Sequence, residues 1–155
     1  MYNLLFFYFY VLPFLFLRIY DVKLVYKLSE LKMNSPIKVL IAEDNILNQK
    51  IIAALVKRLG WQFLIVSDGK QALDECFENE YDAVLMDIDM PVMNGWEATI
   101  EIKKIKPDLP IIALTAYSEE FFREKSFASG MDFFLAKPYN HMEIERTVLK
   151  SLENR

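Results

Sequence analysis

The sequence predicts an α/β fold of five β-α units around a central parallel sheet. Three observations carry that prediction. From Ile37 onward, short apolar runs alternate with longer amphipathic ones, the pattern of parallel strands joined by helices. Gly, Pro, Asn, Asp and Ser punctuate the boundaries between runs. With 155 residues, 54% of them hydrophobic, the chain suits one ordinary core better than two.

The elements follow in order. "IKVLIA" (37–42) reads as a buried strand, and "ILNQKIIAALVKRLG" (46–60) as a helix on which Ile51, Leu55 and Leu59 recur at helical spacing, with Gly60 suited to the C-terminal cap. "WQFLIV" (61–66) is the second strand. Ser67-Asp68-Gly69 then turns into a helix carrying Ala72, Leu73 and Cys76 on one face. "YDAVLMD" (81–87) is the third strand and "WEATIEIKKIK" (96–106) the third helix, stopped by Pro107. "PIIALTA" (110–116) is the fourth strand, and a helix from about Ser118 to Ser129 ends at Gly130. "MDFFLA" (131–136) is the fifth strand. "NHMEIERTVLKSLENR" (140–155) closes the chain as a helix with Ile144, Val148 and Leu152 inward.

Residues 1–36 stand apart as an apolar, aromatic-rich extension that precedes a domain at 37–155. They hold ten of the 22 aromatic residues, and Leu4 to Leu17 is an unbroken apolar run. As a helix that run would span about 21 Å against roughly 30 Å of hydrocarbon, short of a standard membrane span. Lys23 and Lys27 after it would favour a cytoplasmic C-terminal side. No basic residue precedes the run and no small-residue cleavage site follows it, so a secretory signal fits poorly. Three readings stay open: an upstream stretch before a functional start at Met33, a short membrane anchor, or a packed helix.

Charge and cysteine usage narrow the function classes. Residues 1–32 carry four basic against two acidic residues, leaving fourteen basic against twenty acidic in the remainder, a balance unlike a nucleic-acid footprint. Cys76 is the only cysteine, so no internal disulfide forms, and a reducing, cytoplasmic setting is the expectation. Cys76 lies in a helical pattern with no neighbouring His and reads as packing. His141, the only histidine, reads as a surface polar residue, Trp61 and Trp96 as partly buried packing, and the four glycines form no phosphate-cradling loop.

In an open parallel sheet, function collects outside the carboxyl ends of the strands. Glu43 and Asp44 follow the first strand, Asp87 ends the third, Thr115 the fourth, and Lys137-Pro138 follow the fifth. Three carboxylates converging on one cleft repel one another unless a cation neutralises them. Oxygen-only ligands without His or Cys suit a hard, partly hydrated ion such as Mg²⁺. An aspartate nucleophile, a metal, a lysine and a hydroxyl together lay out phosphoryl transfer to a carboxylate, with Asp87 at the centre.

The runs "VLIAEDN", "MDIDMPVMNGWE", "PIIALTA" and "GMDFFLAKP", in that order, resemble the receiver domains of two-component response regulators over about Lys38 to Leu152. The wording is closest to receivers of hybrid histidine kinases and phosphorelays. The resemblance implies a flavodoxin-like (βα)5 fold with strand order 2-1-3-4-5, which composition and spacing do not by themselves supply. It implies that Asp87 accepts a phosphoryl group from a phosphohistidine donor with Mg²⁺ present. Asp44 would be a direct metal ligand, Glu43 would act through water, and the backbone carbonyl of Asp89 would be the third protein ligand. Lys137, before a cis bond at Pro138, would pair with the phosphoryl group. Thr115 would be the switch hydroxyl and Phe134 the switch aromatic, together altering the face made by helix 4, strand 5 and helix 5. The implied partners are a histidine kinase or histidine phosphotransfer protein and a downstream protein target, without nucleic acid, and with membrane contact only if residues 1–32 belong to the protein.

Several residues depart from the family pattern. Glu43 stands where Asp is commoner. Asp89 adds a carboxylate two residues after Asp87 that bears on phosphoryl lifetime, and Tyr117 is bulky enough to cover Asp87 and slow attack by water. Phe121 and Phe122 are adjacent on helix 4, so both cannot face one core stripe, and an exposed aromatic there marks a partner surface or packs on the N-terminal segment. The expectation is a single-domain response regulator, a phosphoacceptor switch rather than an enzyme beyond intrinsic autophosphatase activity. Two alternatives stay open. One is a receiver-like interaction module that works unphosphorylated, even tethered to a membrane. The other is a haloacid-dehalogenase-like phosphatase built on Asp87 and Asp89, for which the chain is short and the Glu43-Asp44 pair comes early.

Overall fold

All five expected β-α units form in the computed structural model, which describes residues 36–116 and 120–153. Readings that concern residues 1–35, and the one for Tyr117, lie outside the described residues. The elements run β1 (Lys38–Ala42), α1 (Ile46–Arg58), β2 (Gln62–Val66), α2 (Gly69–Glu78), β3 (Ala83–Asp87), α3 (Gly95–Ile105), β4 (Ile111–Thr115), α4 (Glu120–Ala128), β5 (Phe133–Ala136) and α5 (His141–Glu153). The strands form one parallel sheet in the order β2-β1-β3-β4-β5, the flavodoxin-like arrangement.

Strands β3 and β5 begin later than their apolar runs. Asp82 turns its carboxylate to the backbone N–H of Lys38 at 2.9 Å, and Asp132 does the same for Ile111 at 2.8 Å. Each aspartate closes the start of a neighbouring strand instead of extending its own.

Side-chain alternation divides the strands into two rows, one on each face of the sheet. Val39 and Ile41, Ala83 and Leu85, Ile112 and Leu114 pack with Ile52 and Val56 of α1 and with Ile144 and Val148 of α5. Leu40 and Ala42, Val84 and Met86, Ile111 and Ala113 pack on the opposite face with Ala72 and Cys76 of α2 and with Ala98 and Ile102 of α3. Most of these side chains are inaccessible to water, and each large one contributes about 1.5–3 kcal/mol by its burial.

The α1 stripe differs from the expected one. Ile52 and Val56 are buried, Leu55 and Leu59 are half-buried, and Ile51 is 56% exposed. Both sets have helical spacing. The sheet selects the one that faces it, and Ile51 is left at the rim of the cleft.

Helix starts follow their capping chemistry. Asn45 accepts from the N–H groups of Leu47 and Asn48, Asp68 from Gln71, and Asn94 forms a reciprocal box with Glu97. Asn140 accepts from Met142 and Glu143 while Glu143 accepts from the N–H of Asn140. Gly60, with φ of +74°, takes the left-handed conformation that ends α1, and Gly130, with φ of +98°, does so after α4.

Candidate functional site

The site grows from the carboxyl ends of β1, β3 and β5. Glu43, Asp87 and Lys137 each continue the row that faces α1 and α5, two residues beyond Ile41, Leu85 and Leu135. Pairing continues past the strand ends: Glu43 donates its N–H to Val66 at 3.1 Å, and Lys137 donates its N–H to Thr115 at 2.6 Å. The same alternation that builds the core therefore brings three charged side chains together.

Their contacts are short. Nζ of Lys137 donates to Oε2 of Glu43 and to Oδ2 of Asp87, each at 2.6 Å. Among the described residues, the other oxygen of Asp87, Oδ1, accepts only a long 3.4 Å contact from the N–H of Asp89. Glu43 is fully buried, Asp87 is 7% exposed, and Asp44 stands exposed at the mouth. The Lys137–Pro138 peptide bond is cis, as the resemblance implied.

Charge balance follows from this packing. Burial pushes Asp87 up to about 6; the hydrogen bond and charge of Lys137 oppose the rise, and Glu43 adds to it. Burial alone would lower Lys137, but the two carboxylates outweigh it and hold its pKa above the ordinary value. Burial raises Tyr139 as well, and the charges of Glu43 and Asp87 add to that rise. One ammonium thus serves two buried carboxylates, with a third carboxylate beside them.

That surplus of negative charge is the test for a metal. Glu43, Asp44 and Asp87 can each offer an oxygen such that these atoms all lie within 4.8 Å of one another. An oxygen-only set with net negative charge fits a hard divalent cation.

The remaining expected residues fall in two groups. Thr115 is buried and continues the opposite row, after Ile111 and Ala113, and half-buried Phe134 packs on that same side. Asp89 is exposed, and its carboxylate is not part of the three-residue cluster. Phe121 is 65% exposed, whereas Phe122 stacks on Trp96 with ring centroids 6.0 Å apart. Of the two, only Phe121 is free to meet a partner over most of its surface.

Cys76 is fully buried, and burial pushes its thiol up to about 12, so it packs as expected and offers no thiolate. Trp61 and Trp96 are half-buried. Trp96 also holds α4: its Nε1–H donates to Oγ of Ser126 at 3.1 Å, and Nζ of Lys125 lies 3.6 Å from its ring centroid.

Three contributors escaped the sequence reading. Asn48 donates from Nδ2 to Oε1 of Glu43 at 2.9 Å, and Gln49 donates from Nε2 to the Glu43 carbonyl at 2.7 Å. Their signal was two amides in the first turn of a helix whose apolar stripe lies elsewhere. Gly95 is the third: a Cβ there would stand 2.1 Å from the carbonyl oxygen of Asp87.

Residues 39–149 match the family described as response regulator receiver domain. Hybrid signal transduction histidine kinase I of Dictyostelium discoideum is 45% identical over 114 residues, which cover 68% of this chain and 7% of that protein. The receiver domain of sensor histidine kinase PA1611 from Pseudomonas aeruginosa PAO1, solved with a magnesium ion coordinated in its active site cleft, is 37% identical with a TM-score of 0.72. That likeness covers 77% of this chain and 99% of the solved one. A chain of the Saccharomyces cerevisiae co-crystal of the histidine phosphotransfer protein Ypd1 with the receiver domain of Ssk1 is 26% identical with a TM-score of 0.69, covering 74% of this chain and 88% of that one.

Proposed function

Because this chain belongs to the response regulator receiver domain family of two-component signalling, we propose that Asp87 is its phosphoryl acceptor, supplied by a phosphohistidine on a histidine kinase or a histidine phosphotransfer protein. The observation that carries the reading is Lys137 bridging Glu43 and Asp87 at 2.6 Å beside a three-carboxylate cluster. The structure of a receiver with magnesium in its cleft and that of a receiver with a phosphotransfer protein support the cation and the donor class.

Glu43, Asp44, Asp87 and the backbone carbonyl of Asp89 would hold Mg²⁺, which when bound offsets the charge of the carboxylates and of the phosphoryl oxygens. The chain's own residues do the rest. A carboxylate oxygen of Asp87 attacks phosphorus, an aspartyl O–P bond forms, and the N–P bond to the donor imidazole breaks, leaving the electron pair on nitrogen. A pKa near 6 leaves Asp87 mostly ionised at neutral pH, yet more basic than an ordinary aspartate. Lys137 then pairs with a phosphoryl oxygen. Thr115 donates its hydroxyl to another and Phe134 follows, altering the α4-β5-α5 face, where exposed Phe121 meets a downstream protein. The donor approaches across the exposed apolar rim of Ile46, Leu47 and Ile51 on α1 and Val92 after β3. Asp89, and Tyr117 outside the described residues, are proposed to set how fast water removes the phosphoryl group.

Receiver domains act as signalling switches, and no helix among the described residues is long and apolar enough to cross a membrane. The test is incubation with Mg²⁺ and acetyl phosphate, read by intact mass. Wild type is expected to gain one phosphoryl group and Asp87→Asn none; equal gain by both would remove Asp87 as acceptor.

A further inference from the structure

The start of α1 holds Glu43 at its backbone carbonyl and at one carboxylate oxygen. Oε1 accepts from Nδ2 of Asn48 at 2.9 Å and from the N–H of Asn45 at 3.3 Å, while Oε2 accepts from Lys137 at 2.6 Å. Of the two donors on Oε1, the short one is the side chain of Asn48. Asn48 is half-buried and lines, with Ile51, Lys137, Pro138 and Tyr139, a cavity of about 290 Å³ beside the cleft.

The chemistry of that contact matters because Lys137 is shared. A carboxylate with both oxygens open takes an ammonium more fully than one with a single oxygen to offer. If Oε1 were released, Glu43 would be able to turn onto Lys137 and draw it from Asp87. Asn48 prevents this with a neutral donor. A lysine in its place would also tie Oε1 but would cancel the negative charge that a cation in the cleft needs.

Resting on the reading of Asp87 as a phosphoryl acceptor, we propose that Asn48 is a positioning residue for the transfer. It commits Oε1 of Glu43 to α1, so that Glu43 meets the cleft through Oε2 alone and Lys137 stays divided between Glu43 and Asp87. Asn45 adds a longer 3.3 Å contact to Oε1 from its backbone N–H, which a side-chain substitution at Asn48 leaves in place, while its side chain caps α1 through the Leu47 and Asn48 N–H groups.

The experiment uses the full chain and three measurements: the Mg²⁺ dissociation constant of unphosphorylated protein by calorimetry, the urea midpoint in chelator, and the rate of phosphoryl gain from acetyl phosphate at saturating Mg²⁺. Asn48→Ala and the bulkier Asn48→Leu are both expected to weaken Mg²⁺ binding about threefold to tenfold and to slow phosphoryl gain by a similar factor, the range set by one hydrogen bond to a charged group. In a Glu43→Gln background the same substitutions are expected to change the Mg²⁺ constant less than about twofold, because the effect travels through Glu43. A lower urea midpoint with an unchanged Mg²⁺ constant and rate in both variants would make Asn48 a structural residue only. Full effects in the Glu43→Gln background would also overturn the proposal. A wild type that gains no phosphoryl group at Asp87 removes the underlying reading instead, a result separate from either of these.

Discussion

The ammonium of Lys137 sits equally close, at 2.6 Å, to Glu43 of the first strand end and Asp87 of the third, residues 44 apart in sequence and both buried. Removing it leaves two buried carboxylates without a counter-charge, which costs more than the ion pair contributes when intact. Lys137→Ala is therefore expected to lose about 3 kcal/mol of stability at pH 7 in chelator, measured by urea unfolding. The loss should shrink as pH falls toward about 6, because without Lys137 the carboxyl of Asp87 titrates above its wild-type value and the variant takes up its proton first. A pH-independent loss would mean that packing, not charge, is the cause.

Asp87 itself opposes folding when ionised. Its folded-state pKa of about 6 lies above its ordinary 3.8, so between those values the folded state binds more protons than the unfolded one. Its contribution is favourable below about 3.8 and is lost as pH rises through about 6. Asp87→Asn should accordingly stabilise the chelated protein at pH 7 by about 2 kcal/mol, and the gain should fade toward pH 4. Urea midpoints across that range measure it. Saturating Mg²⁺ should narrow the gap at pH 7 by stabilising wild type alone.

Two glycines should respond differently to the same substitution. At Gly95 an added methyl would stand 2.1 Å from the Asp87 carbonyl, so the backbone beneath the proposed acceptor has to move. Gly95→Ala is expected to cost about 2–4 kcal/mol and most of the phosphoryl gain. At Gly60 nothing lies within 4 Å and only the φ of +74° resists, so Gly60→Ala should cost about 1 kcal/mol and leave the site intact. Thermal unfolding and the acetyl phosphate assay separate the two.

Trp96 ties the start of α3 to α4 through Ser126, Lys125 and Phe122. Trp96→Phe removes the Nε1–H donor while keeping a ring. Loss of that one bond, about 1 kcal/mol, should speed amide exchange in α4 about fivefold and leave α1 and α5 unchanged. Uniform acceleration across all helices would assign the effect to global stability.

How much of this was readable in the sequence depends on the range of the physics involved. Strands and their ends were legible because alternation is local: Ala83, Leu85 and Asp87 announce a row, as do Phe133, Leu135 and Lys137. Asp68 and Gly60 carried their capping roles on their faces. What distance in space decides was not legible. Ile51 and Ile52 are equally apolar neighbours, and only the sheet's position determines which one is buried. Asn48, Gly95 and Trp96 matter for what they approach from another element, and Phe122 left the solvent because Trp96 was there to receive it.

The two rows of the sheet have a consequence for how variants should sort. Glu43, Asp87 and Lys137 belong to the side lined by α1 and α5, while Thr115 and Phe134 belong to the side lined by α2 and α3. On the proposed reading, the side chains that take up the phosphoryl group and those that respond to it stand on opposite faces of one layer a single backbone thick. Core changes beneath α1 would disturb how readily the chain is charged, those beneath α3 how faithfully the charge is reported, and only residues at the strand tips would disturb both.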